Sequence, residues 1–212
     1  MRHPQAGPLQ FQGSAFAKRL MRWAGWQIHF DGFPASQGVL VGYPHTSNWD
    51  FILMVMVKWA TGIHIQFLAK DSLFRFPIFS TWLRRLGGLA VDRSASNGVV
   101  AQLVDMMREQ KAKQNFFWLG ISPEGTRRLT QGWKSGFYQV AWQANVPLCL
   151  VRIDWGHKTV DLTHSLSLTG QMEQDYVRMA QIYEGVLGFY PNQAAPIRPL
   201  ESKQPVSGKS NA

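Results

Sequence analysis

Along this chain, apolar positions at helical spacing alternate with short unbroken or every-other-residue apolar runs. Phe16, Leu20, Trp23 and Ala24 share one helical stripe while Lys18, Arg19 and Arg22 lie off it. With Ser14 placed to cap it, the pattern predicts a basic amphipathic helix over residues 14–27. Strands are expected at 38–43 and 116–121, both buried, at 63–68, which alternates weakly, at 89–91 and 146–153, and, alternating and near a sheet edge, at 160–168. Helices are expected at 49–60, 95–113, 137–144 and 173–188. A further one at 73–86 carries Pro77 inside it and should be kinked or broken. Strands alternating with helices of this length indicate an α/β domain, a largely parallel sheet flanked by helices. Residues 1–13 read as a flexible leader, 14–192 as the folded domain, and 193–212, rich in Pro, Ser and Lys, as a disordered tail.

The chain has 212 residues, enough for one domain with a sizeable core. Its 45% hydrophobic content excludes disorder for most of its length, and the single Cys149 excludes a disulfide scaffold. The longest apolar run, 51–57, is far short of the roughly 20 residues of a membrane span. No secretory signal is visible, so the expected location is the cytoplasm or the cytoplasmic side of a membrane, as a peripheral protein. Lys and Arg number 22 against 13 acidic residues, a net +9, which points to anionic partners. The first helix fits either the headgroup region of a membrane or one end of the core. The lack of acidic residues before Asp31 favours the membrane.

His45 is placed unlike the other five histidines. It follows a strand and Pro44, in the turn His45-Thr46-Ser47-Asn48-Trp49-Asp50 that opens a helix. Open α/β sheets bind ligands at the carboxyl ends of their strands. Asp50, in the first helical turn, can fold back on one ring nitrogen, fixing the tautomer and stabilising the imidazolium formed when the other takes a proton. Taken alone, the spacing fits a helix cap and a dipole-stabilising acid better. A second turn, Ser122-Pro123-Glu124-Gly125-Thr126-Arg127-Arg128, follows another buried strand. Its guanidinium suits phosphate, and Glu124 could orient it or accept from a substrate hydroxyl; a solvated charged turn has the same composition. Arg93, before a helix N-terminus, and Lys70, after a strand, are further candidate cations, and Arg93 could equally pair structurally with Asp92.

The order and wording of these segments resemble the lysophospholipid acyltransferase family, the 1-acylglycerol-3-phosphate acyltransferases. His45 to Asp50 matches its His-x4-Asp motif, Gly88 to Arg93 its second block ending in Asp-Arg, and Glu124-Gly125-Thr126-Arg127 its Glu-Gly-Thr-Arg motif. Asn145 to Leu150 resembles its fourth, Val-Pro-containing block, without the second proline often seen there. One short basic helix precedes the first motif, where many relatives carry a longer hydrophobic anchor. The resemblance implies transfer of a fatty acyl group from acyl-CoA or acyl carrier protein to a hydroxyl of a lysophospholipid, without cofactor or metal. His45 would be the general base and Asp50 its orienting partner. Arg127 would grip the acceptor's phosphate, supported by Lys70 and Arg93, with Glu124, Gly125 and Thr126 shaping that pocket. Backbone amides near His45 or Gly125 could form an oxyanion hole.

Two other classes compete. A nucleic-acid binder is allowed by the charge and by 9 Trp and 13 Phe, but the basic residues are scattered and the aromatics fall at core spacing, so no nucleic-acid partner is expected. A non-catalytic lipid-binding module would have no need of an oriented base. An acceptor of another kind, such as an amino-acid lipid, is compatible with the same motifs. A serine hydrolase is disfavoured because neither Ser47 nor Ser122 sits in a Gly-x-Ser-x-Gly elbow.

Overall fold

A computed structural model describes residues 8–69, 74–90 and 98–200. Its seven strands are β1 (Gln27–His29), β2 (Gln37–Tyr43), β3 (Ile65–Ala69), β4 (Gly88–Ala90), β5 (Phe117–Ile121), β6 (Leu148–Asp154) and β7 (Thr159–Leu166). They form one sheet in the order β1-β7-β6-β2-β5-β3-β4. Every pairing is parallel except β6 with β7, which run antiparallel. The expected α/β domain with a largely parallel sheet is therefore what the chain forms.

Successive residues of a strand point to opposite faces, and β2 shows what that does here. Val39, Val41 and Tyr43 enter one apolar cluster and Leu40 the other. The first cluster is covered by α4 (Gly98–Ala112), α5 (Gly136–Ala144) and α6 (Met172–Ile182). The second lies under α1 (Ala15–Trp23) and α2 (Trp49–Thr61), through Met21, Leu53 and Val57. The third helix on that side, α3 (Pro77–Arg85), packs Leu83 against the start of β4. Both faces are buried, which is why β2, β5 and β6 read as continuous apolar runs.

Local chemistry sets the ends of the elements that carry the site. Helix α2 stops at Gly62, whose φ of +78° gives the left-handed turn that glycine adopts without strain. A Cβ there would also lie 2.5 Å from the Gln12 carbonyl oxygen. Pro77 does not kink its helix but begins it. Phe76 before it is held extended and the missing N–H falls at a position with no intrahelical acceptor.

The alternating strand expected near a sheet edge at 160–168 is β7, second from the edge, with the three-residue β1, too short to register as a pattern, pairing outside it. Other expectations need correction. The last helix ends at Ile182 rather than Gly188. The chain past Gln193 is not a loose tail as far as Leu200. Ala195 is fully buried and its carbonyl accepts from the Tyr43 hydroxyl at 3.0 Å, while Leu200 donates to the Trp133 carbonyl at 2.8 Å. The leader is likewise packed from Leu9, which exchanges backbone hydrogen bonds with Phe33, and Phe11 stacks edge-on against Phe116. Residues 1–7 and 201–212 lie outside the described residues.

Candidate active site

The site follows from the parallel pairing of β2 with both β5 and β6. Parallel neighbours end at the same edge, so the turns after β2, β5 and β6 meet there, where open α/β sheets bind ligands. The first turn brings His45, the second Glu124 and Arg127, and the third Trp155.

His45 Nδ1 lies 3.2 Å from Asp50 Oδ2. The carboxylate is buried but not short of donors. Oδ2 also accepts from the Thr46 amide at 2.9 Å and the Ser47 amide at 2.8 Å, and Oδ1 accepts from the Trp155 indole at 2.7 Å. Buried charge is tolerated when it is hydrogen-bonded in this way. The carboxylate thus holds the turn and the imidazole together, and the spent Nδ1 leaves Nε2 for chemistry.

Trp155 is the residue that sequence reasoning missed. It sits one position beyond β6, between the rings of Trp26 (4.9 Å) and Phe189 (4.8 Å), both edge-on, so its indole N–H is aimed at Asp50. Its position at the carboxyl end of the strand expected at 146–153 was the only available signal.

Glu124 does not reach Arg127. One oxygen accepts from the His45 amide at 2.7 Å and the other from the Ala195 amide at 3.0 Å, tying the His45 turn to the C-terminal segment. Burial pushes its carboxyl above the usual carboxylate range. The two amides and the nearby imidazole oppose that rise, and the Asp50 charge adds to it. The same burial, with the Glu124 charge beside it, raises the Tyr43 phenol to about 12. Thr46 makes a second tie, its hydroxyl accepting from the Tyr190 amide at 3.1 Å.

Gly125 turns the chain at φ +65°, with the Lys134 stem packed over it, and the Thr126 hydroxyl accepts from the Arg128 amide at 3.3 Å. Both shape the turn. The amides expected to line an oxyanion hole are already engaged: those of His45, Thr46 and Ser47 by carboxylates, and that of Gly125 by the Ser122 carbonyl at 3.2 Å. Lys70 and Arg93 lie outside the described residues.

His45, Asp50 and Arg127 line one cavity of about 570 Å³. Arg127 is exposed and has no carboxylate partner among the described residues. From this mouth the cavity runs between α2 and α3 over β3, walled by Phe51, Met54, Val55, Phe67, Phe79, Trp82 and Leu83. Lys58 closes it, donating to the Ile65 carbonyl at 3.1 Å and the Leu86 carbonyl at 2.6 Å, and its burial lowers its pKa. Lys58 stands eight residues beyond Asp50 on α2, about 12 Å along the helix axis. The result is an apolar groove with the His45 imidazole at one end, beside a guanidinium that has no carboxylate partner among the described residues. Among the described residues no cluster of His, Cys, Asp and Glu could hold a metal.

The sequence and the fold have counterparts among known proteins. A family model described as Acyltransferase matches residues 26–154, and the chain belongs to that family. The fold is similar to the crystal structure of the 1-acyl-sn-glycerophosphate (LPA) acyltransferase PlsC from Thermotoga maritima. That match has a TM-score of 0.52 and 18% identity, covering 79% of this chain and 73% of that one. At that identity the likeness is one of fold. No curated protein matches the sequence.

Proposed function

We propose that this acyltransferase moves a fatty acyl group from a thioester, acyl-CoA or acyl carrier protein, to the free hydroxyl of a lysophospholipid, 1-acylglycerol-3-phosphate first among them. One observation carries the reading: the His45–Asp50 pair opens onto the same apolar groove whose mouth holds Arg127, which has no carboxylate partner among the described residues. An alcohol is a poor nucleophile until its proton is removed, and a positioned base contributes about 10²–10⁴-fold. His45 Nε2 takes the hydroxyl proton as the oxygen bonds to the thioester carbonyl carbon. The tetrahedral intermediate then collapses with cleavage of the carbon–sulfur bond, and the proton passes to the departing sulfur. Asp50 holds the ring in place through both transfers and offsets the charge of the imidazolium.

Phe51, Met54, Phe79 and their neighbours offer a fatty chain a water-free bed, and Arg127 offers the acceptor's phosphate a two-pronged donor. Among the described residues no helix is long and apolar enough to cross a membrane. The protein works, in this reading, at the cytoplasmic surface of an anionic membrane, with α1 lying on the lipid.

The test is a panel of lyso-lipid acceptors, including amino-acid lipids, incubated with each donor and read by mass spectrometry of the products. A diacylated phospholipid formed from 1-acylglycerol-3-phosphate is the expected result. Acylation of an amino-acid lipid alone would move the acceptor, and no acylated product from any pair would overturn the reading.

A further inference from the structure

The outward residues of the helix layer formed by α1, α2 and α3 are unlike a surface made for water. On α1 only Ala17 and Met21 reach the core, while Phe16 is 75% and Trp23 86% exposed. Helix α3 repeats the pattern on the other flank of α2. Phe76 is 67% and Ile78 89% exposed, and Ile78, Trp82 and Arg85 form one stripe at i, i+4, i+7 spacing. Exposed apolar surface on this scale marks an interaction site. Arg84 lies over the Phe74 ring at 5.1 Å, which leaves Arg85 and Arg75 as the outward cations.

Charge selects the partner. Every charged residue on α1 and α3 is basic, and the one acid on α2, Asp50, is buried in the site. Aromatic rings interleaved with arginine suit the headgroup–acyl boundary of an anionic bilayer, where a ring can sit in hydrocarbon and a cation reach the phosphates. Trp82 supplies continuity: half-exposed on the outer stripe, it also walls the groove with Phe79 and Leu83.

We infer that α3 is a membrane-contact element in its own right, separate from α1, whose partner is the interface of an anionic bilayer. Phe76, Ile78 and Trp82 enter the acyl boundary, and Arg75 and Arg85 meet lipid phosphates. The rim of the groove between α2 and α3 then lies in lipid, so a fatty chain passes between bilayer and groove without crossing water. That consequence deepens the acyltransferase reading and rests on it; the contact itself does not.

The test is co-sedimentation with phosphatidylcholine vesicles, with and without phosphatidylglycerol, in the absence of any acyl donor. Wild type is expected to bind the anionic vesicles and to release as salt rises. Ile78→Glu should partition about tenfold less, from the loss of one buried aliphatic side chain and the gain of a like charge. Trp23→Glu on α1 should lower partition separately. Ile78 is outside the groove, so its variant should melt like wild type and keep its turnover of short-chain monomeric substrates. Three results would overturn the inference. They are Ile78→Glu and Phe76→Glu partitioning like wild type, equal binding to vesicles without anionic lipid, or a lipid-free dimer that Ile78→Glu dissolves, which would make this face the seat of a second copy. Because partition is read without turnover, absence of acyl transfer would strike the proposed reaction and not this surface.

Discussion

Replacing Trp155 with Phe isolates the contact that sequence patterns did not disclose. The substitution keeps an aromatic ring between Trp26 and Phe189 and deletes the N–H that donates to Asp50 Oδ1 at 2.7 Å. A hydrogen bond to a charged, buried acceptor contributes about 1.5–3 kcal/mol. For a chain of this length each kcal/mol shifts Tm by about 2–4 °C, so a fall of about 3–12 °C is expected in a thermal melt. Asp50 keeps the Thr46 and Ser47 amides on its other oxygen and can rock about them, carrying the His45 ring with it. Acyl transfer should therefore slow by about tenfold in kcat, equivalent to about 1.4 kcal/mol of barrier, with KM for donor and acceptor within about twofold of wild type. A purely structural tryptophan would lower Tm and leave kcat per folded molecule intact. If both Tm and kcat match wild type, Trp155 neither supports the carboxylate nor positions the base.

Other perturbations probe other parts of the site. Glu124→Gln can satisfy only one of the His45 and Ala195 amides and sets an NH2 against the other, at a cost of about 1–3 kcal/mol in urea unfolding. The Glu124 carboxyl titrates above its unfolded value, so the folded state binds the extra proton. Its contribution is present below the ordinary carboxylate range and is lost as pH rises through the raised value. The gap between wild type and Glu124→Gln should narrow over that interval; a constant gap would contradict the burial of an ionisable group there. Asp154 behaves with opposite sign. Burial alone would raise it, but the His157 ring at 2.8 Å and several backbone amides hold it below the usual range. Asp154→Asn should therefore cost stability at neutral pH and progressively less as the solution is acidified, followed by urea midpoints across that range. Arg127→Ala should raise KM for a phosphorylated acceptor about tenfold, measured with a phosphate-poor thioester donor; an unchanged KM removes the guanidinium from that role.

Much of this arrangement was legible before any coordinates, for one physical reason. Strands buried on both faces announce themselves as short apolar runs, and a polar turn directly after such a run has to lie at a sheet end. The turns that carry His45 with Asp50, and Glu124 with Arg127, are placed at a sheet end in that way, while the roles expected of these residues come from the family resemblance. The rest depended on contacts between residues far apart in sequence. Trp155 meets Asp50 across 105 residues because β6 neighbours β2, and no local pattern encodes that adjacency. Residues 193–200 have the composition of a loose tail, yet Glu124, Tyr43 and Trp133 bind them in place. Glu124 itself was assigned to substrate from its motif, whereas its oxygens are spent on backbone amides, where a short turn residue can act as a strut. On α1 the periodicity gives the stripe but leaves open whether it meets the core or a membrane: Phe16, Leu20 and Trp23 face outward, and the core takes only Ala17 and Met21.

The most direct measurement is acyl transfer to 1-acylglycerol-3-phosphate by purified His45→Ala beside wild type, with a thermal melt of each. Asp50 keeps three other donors in the variant, so the fold should survive with its Tm nearly unchanged. The rate should fall by about 10²–10⁴-fold. A folded variant that still acylates at the wild-type rate would show that the proton is taken elsewhere and that the imidazole at the head of the groove is not the base.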